Sequence, residues 1–219
     1  MAKIWKALGV LVASVSLAQG EEEWVSLFDG ETLKGWTNSQ GDEVKEGNWV
    51  AEDGVLHRKG RGGDLYTAKE YGDFEFRWEW KISAEGNSGV KYRVTEYGSA
   101  KLGSEYQVLD DVHPDGQKSI KRQASALYDL VAPNEAKSLK PVGEWNSARV
   151  VAKGKHLQHY LNGQLVMDIV VGSEEWGKVL KQSKFSGKPD FAANKSGFIF
   201  LQDHNDEVWY RRLEIKVLK

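Results

Sequence analysis

Three polar side chains end a predicted apolar strand near the C-terminus, where they could take part in catalysis. Residues 196–204 are predicted to form a strand that ends in Gln202, Asp203 and His204, with a polar turn at 205–207 and a second strand over 208–216. Core packing does not require an amide, a carboxylate and an imidazole, and such groups at a strand end can form a site. A histidine can act as acid or base near neutral pH. The alternative is a C-terminal hairpin whose polar end is simply solvated.

A second candidate strand places a carboxylate and an amide on one face. Glu105 and Gln107 are two residues apart, so they point the same way in a strand, and Asp111 returns to that side if the strand continues. These side chains suit a concave sheet face that binds a polar ligand. The spacing is similar to the acid/base strand of jelly-roll endoglucanases, but Glu105 and Asp110 point to opposite faces, which disfavours a two-carboxylate retaining mechanism. The alternative is a solvated strand face.

Two cations are predicted in a third strand, over residues 89–95. Lys91 and Arg93 share one face of it by alternation. Beside Glu105 and Gln107 they could polarise a carbonyl group or bind hydroxyl groups. The alternative is ordinary cross-strand ion pairing on a solvated face.

A divalent metal ion is a further possibility. Glu105, Asp111, Asp203 and His204 have the oxygen and nitrogen donors that such ions accept, although no His-x-His or His-Glu-x-x-His spacing is present. The chain has no cysteine, which excludes thiolate nucleophiles, cysteine-ligated metals and disulfides.

The segments around these residues predict an all-β fold. Residues 74–82 alternate between apolar and polar side chains, and Asn162-Gly163 is a strong hairpin signal. Short strands of this kind, with one short helix over 173–181 capped by Ser173, predict a β-sandwich or jelly roll. The other predicted strands are 24–30, 48–51, 55–58, 89–95, 104–109, 124–130, 145–152, 156–161 and 164–170, with loops at 133–141 and 185–195.

The N-terminus resembles a secretory leader. Lys3 and Lys6 precede an apolar run, and a small-x-small site predicts cleavage after residue 18, leaving a domain over 19–219. The apolar run is too short to span a bilayer, so we expect no stable membrane anchor after cleavage. Export without disulfides fits the bacterial periplasm. The formal net charge is −2 with no basic block, which disfavours a nucleic-acid partner.

Several sequence blocks, in this order, resemble the 3-keto-disaccharide hydrolase domain family, a bacterial group related in fold to laminin-G and concanavalin A lectin sandwiches. The resemblance spans about residues 24 to 218. The blocks are Leu27-Phe28-Asp29-Gly30, Leu33-Lys34-Gly35-Trp36, Asn87-Ser88-Gly89-Val90, Glu105-Tyr106-Gln107-Val108-Leu109-Asp110, Ala126-Leu127-Tyr128, Gly143-Glu144-Trp145-Asn146, Leu161-Asn162-Gly163 and Gly197 through Lys216.

The resemblance implies a concanavalin A-like jelly roll with a polar concave face. It also implies cleavage of glycosides already oxidised to a ketone at C3, through C2 proton abstraction, β-elimination and rehydration. Such a site needs one base, one donor to the enolate oxygen and one acid for the leaving group. We expect His204 or Glu105 as base and Arg93 or Lys91 as oxyanion donor, unless a metal ion replaces the cation. The predicted substrate-binding residues are Gln107, Gln202, Asp203, Asp111, Trp145 and Tyr128.

A different function remains open on the sequence. The same kind of sandwich serves as a non-catalytic carbohydrate-binding module, which would bind sugar through aromatic rings such as Trp80 or Trp145. Ionisable residues that face inward favour the enzyme, because lectins rarely need them. The sequence predicts neither the sugar nor the oligomeric state.

Overall fold

The computed structural model describes residues 23–44, 47–60, 62–97 and 100–219, so the predicted leader at 1–18 lies outside the described residues. Within the described part, thirteen strands and two α-helices, α1 (Pro114–Lys118) and α2 (Glu174–Lys181), are present. The strands in chain order are β1 (Val25–Ser26), β2 (Trp36–Thr37), β3 (Trp49–Glu52), β4 (Val55–Arg58), β5 (Leu65–Thr67), β6 (Phe74–Ile82), β7 (Asn87–Tyr97), β8 (Ala100–Leu109), β9 (Asn146–Lys153), β10 (His156–Leu161), β11 (Gln164–Val170), β12 (Phe198–Leu201) and β13 (Val208–Val217).

The strands form two antiparallel sheets. The larger sheet has the order β11-β10-β9-β6-β13-β4-β3, with β1 paired to β13, and the smaller sheet has the order β2-β5-β12-β7-β8. The prediction of an all-β sandwich is confirmed. Across the residues that the structure describes, no helix reaches the length and apolarity that a membrane span requires.

The inner faces of the two sheets meet through aromatic side chains. Strand β6 buries every second residue, and its Trp78 packs edge-on against Tyr106 of β8, with ring centroids 5.0 Å apart. Phe74 meets Tyr92 of β7 in the same way at 6.1 Å. Such ring pairs contribute about 0.5–1.5 kcal/mol each beyond the area they bury. They fix β7 and β8 from the inside, so the opposite face of this strand pair is held in a defined position.

Several predicted elements are confirmed. The structure has the nine-residue strand β6, the hairpin of β10 and β11 around Asn162-Gly163, and α2 with Ser173 as its N-cap. Asn162 and Gly163 both have positive φ, as a two-residue hairpin turn requires.

Two other predictions were wrong or incomplete. Residues 124–130 form turns instead of a strand, because Ser125 and Asp129 adopt positive φ of 67° and 61°. The segment still follows the edge of β8, since Gln107 N donates to Ala126 O and Tyr128 N donates to Glu105 O. Helix α1 was not predicted from the sequence.

The C-terminal strands do not form a hairpin. Strand β12 belongs to the smaller sheet and β13 to the larger, so the chain crosses between sheets at residues 202–207. The polar residues after β12 therefore lie at the end of the sandwich, where the two sheets meet.

One buried histidine connects both sheets to the segment after α1. His159 of β10 is fully buried, and its Nε2 lies 2.9 Å from the Tyr92 hydroxyl while Nδ1 lies 3.0 Å from Ser125 O. Because a carbonyl oxygen only accepts, Nδ1 carries the proton and Nε2 accepts from Tyr92. Burial lowers the pKa of His159 to about 3.

We predict that this histidine makes the fold sensitive to mild acid. Between its ordinary pKa of 6.5 and about 3, the unfolded chain binds a proton at His159 that the folded chain does not. The unfolded state therefore gains as pH falls, and lowering pH from 7 to 5 should cost about 2 kcal/mol through this group. Urea unfolding of wild type and His159→Gln at both pH values measures the difference. His204→Gln, which changes an exposed imidazole, is the control. The same pH dependence in His159→Gln and wild type would contradict the prediction.

Candidate active site

A small polar pocket opens on the outer face of the smaller sheet. It encloses about 100 Å³, enough for part of a sugar ring but not for a disaccharide. Strands β7 and β8 form its floor, the residues after β12 form one side, and segments outside the sheets supply the rest. The residues that line it are Asn87, Lys91, Glu105, Gln107, Tyr128, Lys184, Gln202 and His204.

Glu105 provides the negative charge of this pocket. It is directly opposite Lys91 in the β7–β8 register, and the Lys91 Nζ lies 3.6 Å from Glu105 Oε2. Glu105 is buried, and burial raises its pKa, although the charges of Lys91, Lys184 and His204 act in the opposite direction. The alternative of a solvated strand face does not hold, because a buried carboxylate among cations occupies it.

Gly89 leaves the space into which the Glu105 carboxylate projects. A Cβ atom at this position would lie 2.6 Å from Glu105 Oε1 and 3.2 Å from Gln202 Oε1. The first distance is well inside van der Waals contact, so any larger residue would displace the Glu105 side chain.

Gln107 brings an unpaired polar atom to the pocket floor. Its Nε2 donates to Asn87 Oδ1 over 3.1 Å, whereas its buried Oε1 has no hydrogen-bond partner among the described residues. A buried acceptor without a partner is costly. A hydroxyl donor of a bound ligand would satisfy it, which agrees with the predicted substrate-binding role of Gln107.

Two of the three residues 202–204 point into the pocket, and the third points the opposite way into the protein. Gln202 N donates to Gly89 O, which continues the strand pairing by one residue and points the Gln202 and His204 side chains outward. Asp203 has the opposite parity and forms an ion pair of 2.6 Å with buried Arg58 of β4, which joins the two sheets. Asp203 therefore holds the chain that carries Gln202 and His204 but does not line the pocket.

Two pocket residues come from segments outside the sheets. Tyr128 follows the turns after α1, and its hydroxyl donates to Asp115 over 2.7 Å. Lys184 follows α2, and its Nζ lies 4.1 Å from the centroid of the Tyr128 ring. Sequence analysis did not select Lys184 or Asn87. Asn87 is in a block that carries the family resemblance, whereas no pattern around Lys184 pointed to a site.

The prediction that Arg93 shares a face with Lys91 was wrong. The register of β7 shifts after Tyr92, and Arg93 has a φ of +50°, so a bulge turns its side chain away from the pocket. The guanidinium is buried and donates to Asp73 Oδ1, Gly72 O and Gly154 O. Arg93 therefore ties β7 to the larger sheet.

The remaining predicted residues are also placed elsewhere. Asp111 lies beyond the end of β8, accepts from Ala124 N and pairs with Lys137. Asp111 and Asp203 are both engaged away from Glu105 and His204, so the structure does not bring together the four residues considered as possible ligands of a metal ion. Within the described residues, no group of three or more metal-binding side chains is present.

The aromatic rings proposed for a binding module are not available for sugar stacking. Trp80 is buried in the core between the sheets. Trp145 lies on the larger sheet, where the Arg211 guanidinium covers its ring at 4.1 Å and Lys81 lies 5.4 Å from the ring centroid. Neither residue lines the polar pocket.

The pocket contains a small number of side chains that differ in their acid, base and hydrogen-bonding chemistry. Among the described residues that line it, Glu105 is the one carboxylate, and it is accompanied by two ammonium groups, an imidazole and three amide side chains. One buried carboxylate can remove a proton, ammonium groups can stabilise a developing oxyanion, and an imidazole can donate a proton.

Comparison with known proteins gives consistent matches. Residues 23–216 match the model of the 3-keto-alpha-glucoside-1,2-lyase-like domain. A 3-keto-disaccharide hydrolase of Bacteroides thetaiotaomicron is 35% identical over an alignment of 239 positions, which covers 94% of this chain and 82% of that protein.

Two solved structures from Parabacteroides distasonis ATCC 8503, both named as candidate glycosyl hydrolases, have the same fold. The first is 32% identical with a TM-score of 0.80, and the alignment covers 90% of this chain and 95% of the other. The second is 24% identical with a TM-score of 0.70, covering 90% of this chain and all of the other.

Proposed function

We propose that this chain, which belongs to the 3-keto-alpha-glucoside-1,2-lyase-like domain family, is an enzyme that cleaves the glycosidic bond of sugars carrying a ketone at C3. The observation that carries the proposal is that Glu105, buried between cationic groups, is the one carboxylate among the described residues that line the pocket. Conventional glycosidases in most families use two carboxylates about 5 Å or more apart. An elimination next to a ketone needs one base.

The chemistry follows from the acidity that a 3-ketone gives to C2–H. Glu105 removes this proton, and the electron pair of the C2–H bond forms an enolate whose oxygen takes the negative charge. Collapse of the enolate restores the ketone, forms a C1–C2 double bond and breaks the bond from C1 to the leaving oxygen. Addition of water, with oxygen to C1 and hydrogen to C2, completes a net hydrolysis.

The pocket supports Glu105 as this base. Burial raises its pKa, so its carboxylate accepts a proton more readily than an exposed one, while Lys91 at 3.6 Å favours the ionised form. Lys91 then faces the enolate as oxyanion donor. Gln107 on the floor and Gln202 on the adjoining side of the pocket position the sugar hydroxyl groups.

His204 supplies the proton to the leaving oxygen in this proposal. It is exposed and lines the pocket, whereas Glu105 is buried at the floor. The reverse assignment, with His204 as base, is the alternative that the experiments below distinguish.

We further propose that the protein is exported, in keeping with a bacterial periplasm. The support is the leader-like sequence at 1–18, with its lysines, apolar run and small-x-small site.

We expect the purified protein to release nitrophenol from a nitrophenyl 3-keto-glucoside and not from the unoxidised glucoside. Glu105→Gln should lower kcat/KM at least about 100-fold, because the amide cannot accept the C2 proton. Release is followed by absorbance, with and without a chelator, and loss on chelation would add a metal ion to the site. Equal release from both glucosides, or full activity of Glu105→Gln, would contradict the proposal.

Leaving-group dependence separates the two assignments in the same assay. Nitrophenolate leaves without help from an acid, but the hydroxyl of a second sugar does not. His204→Ala should therefore stay near wild type on the nitrophenyl compound and lose about 100-fold on a 3-keto-disaccharide. Glu105→Gln should lose activity on both. If His204→Ala lost activity on both substrates and Glu105→Gln lost it only on the disaccharide, His204 would be the base.

Gly89→Ala should lower the activity of the enzyme without unfolding it. The added Cβ would lie 2.6 Å from Glu105 Oε1, and the flexible carboxylate would move in place of the backbone. We expect kcat/KM to fall at least about tenfold with a melting temperature close to wild type. Gly177→Ala, where an added Cβ meets nothing within 4 Å, is the matched control. Wild-type kcat/KM in Gly89→Ala would show that the position of the carboxylate does not matter.

A further inference from the structure

A continuous polar network connects the two pocket residues that lie outside the sheets. Arg122 donates from Nε to Asp129 Oδ1 over 2.6 Å and from Nη1 to Asp115 Oδ1 over 2.9 Å. The second oxygen of Asp115 accepts from the Tyr128 hydroxyl over 2.7 Å. The second oxygen of Asp129 accepts from the backbone N of Lys184, also over 2.7 Å. One guanidinium therefore fixes both Tyr128 and Lys184.

This network is largely shielded from solvent. The side chains of Arg122, Asp115 and Asp129 are 25%, 15% and 12% exposed. Charge-assisted hydrogen bonds in such surroundings hold their partners in defined positions. The network lies outside the pocket itself, so the function proposed above does not use its three charged members.

Lys184 differs from the other lysine of the pocket in its partners. Lys91 is paired with Glu105, whereas Lys184 Nζ forms no ion pair within the described residues and lies over the faces of Tyr128 at 4.1 Å and Phe185 at 5.1 Å. Burial lowers the pKa of Lys184, with the charge of Glu105 acting in the opposite direction. Lys184 lines the same pocket as Glu105 but is not ion-paired with it. Its ammonium group is therefore available to a bound anion.

We propose that Lys184 contacts the reacting sugar as a second oxyanion donor and that Arg122, through Asp129 and Asp115, is the residue that positions it together with Tyr128. This inference rests on the proposed function. In the enolate-forming step, the proton moves from C2 to Glu105 and the negative charge moves from Glu105 to the sugar oxygen. The two lysines keep their charges throughout, so Lys91, Lys184 and Glu105 together carry a charge of +1 before the proton moves and +2 once Glu105 is neutral, when the enolate carries −1.

Substitution of Lys184 tests the catalytic part. Lys184→Met should lower kcat/KM on the nitrophenyl 3-keto-glucoside about 10- to 100-fold, mainly in kcat, because the donor acts on the enolate more than on the ketone. Lys184→Arg should recover part of the loss. Lys178→Met, which changes an exposed lysine of α2 paired with Glu174, should behave as wild type. Unchanged kcat/KM in Lys184→Met, with an active wild type, would overturn the role of Lys184 and leave the proposed function standing.

A double-mutant cycle tests the positioning part. Arg122→Gln should lower kcat/KM by a similar factor, yet cost little more when it is added to Lys184→Met, because both changes remove the same contact. Arg211→Gln, which breaks an arginine–Glu79 pair on the larger sheet, should leave kcat/KM unchanged. If the two substitutions lowered kcat/KM independently, so that the double mutant lost the product of the two factors, Arg122 would have a structural role and would not position Lys184. A folded wild type that neither cleaves nor, by calorimetry, binds the keto-glucoside would overturn the proposed function and the role of Lys184 with it.

Discussion

The burial of one carboxylate determines much of the architecture around it. A charged group removed from water is costly unless other charges and donors compensate. At Glu105 the compensation comes from Lys91 across the strand pair, and Gly89 provides the space. Both arrangements depend on the register of β7 against β8, because a shift of one residue would turn Glu105 into the core. That register is fixed from the other side of the sheet, where Tyr92 and Tyr106 pack against the aromatic rings of β6.

The alternation of side chains along β7 and β8 identified the residues on the floor of the pocket but not those at its sides. Period-two patterns placed Glu105, Gln107 and Lys91 on one face, and the structure has them there. The alternation fails at Arg93, since a bulge with positive φ interrupts it, and no residue type at that position signals the change. A nine-residue strand such as β6 was predictable because its pattern is long and uninterrupted. The turns at 124–130 depend on backbone conformations that apolar composition alone does not reveal.

The walls of the pocket were the least predictable part for a different reason. Tyr128 and Lys184 are 56 positions apart and belong to no repeating pattern, and a partly buried network of Asp115, Arg122 and Asp129 joins them. Long-range ion pairs of this kind leave no local signal in the sequence. The family resemblance did include Tyr128, so it located one wall that the physical patterns missed.

The two outer faces of the sandwich show how charge arrangement separates a functional surface from a structural one. On the larger sheet, arginines pair with carboxylates, as Arg77 does with Glu214 at 2.6 Å, and they also cover aromatic rings, as Arg211 covers Trp145. These cations are satisfied by the protein itself, and exposed pairs of this kind contribute little individually. On the smaller sheet, the pocket contains two ammonium groups for one buried carboxylate, and a buried amide oxygen of Gln107 has no partner among the described residues. An unbalanced charge and an unpaired acceptor in one place are best explained by a ligand that completes both, and a hydroxylated sugar that becomes an enolate has the donors and the negative charge to do so.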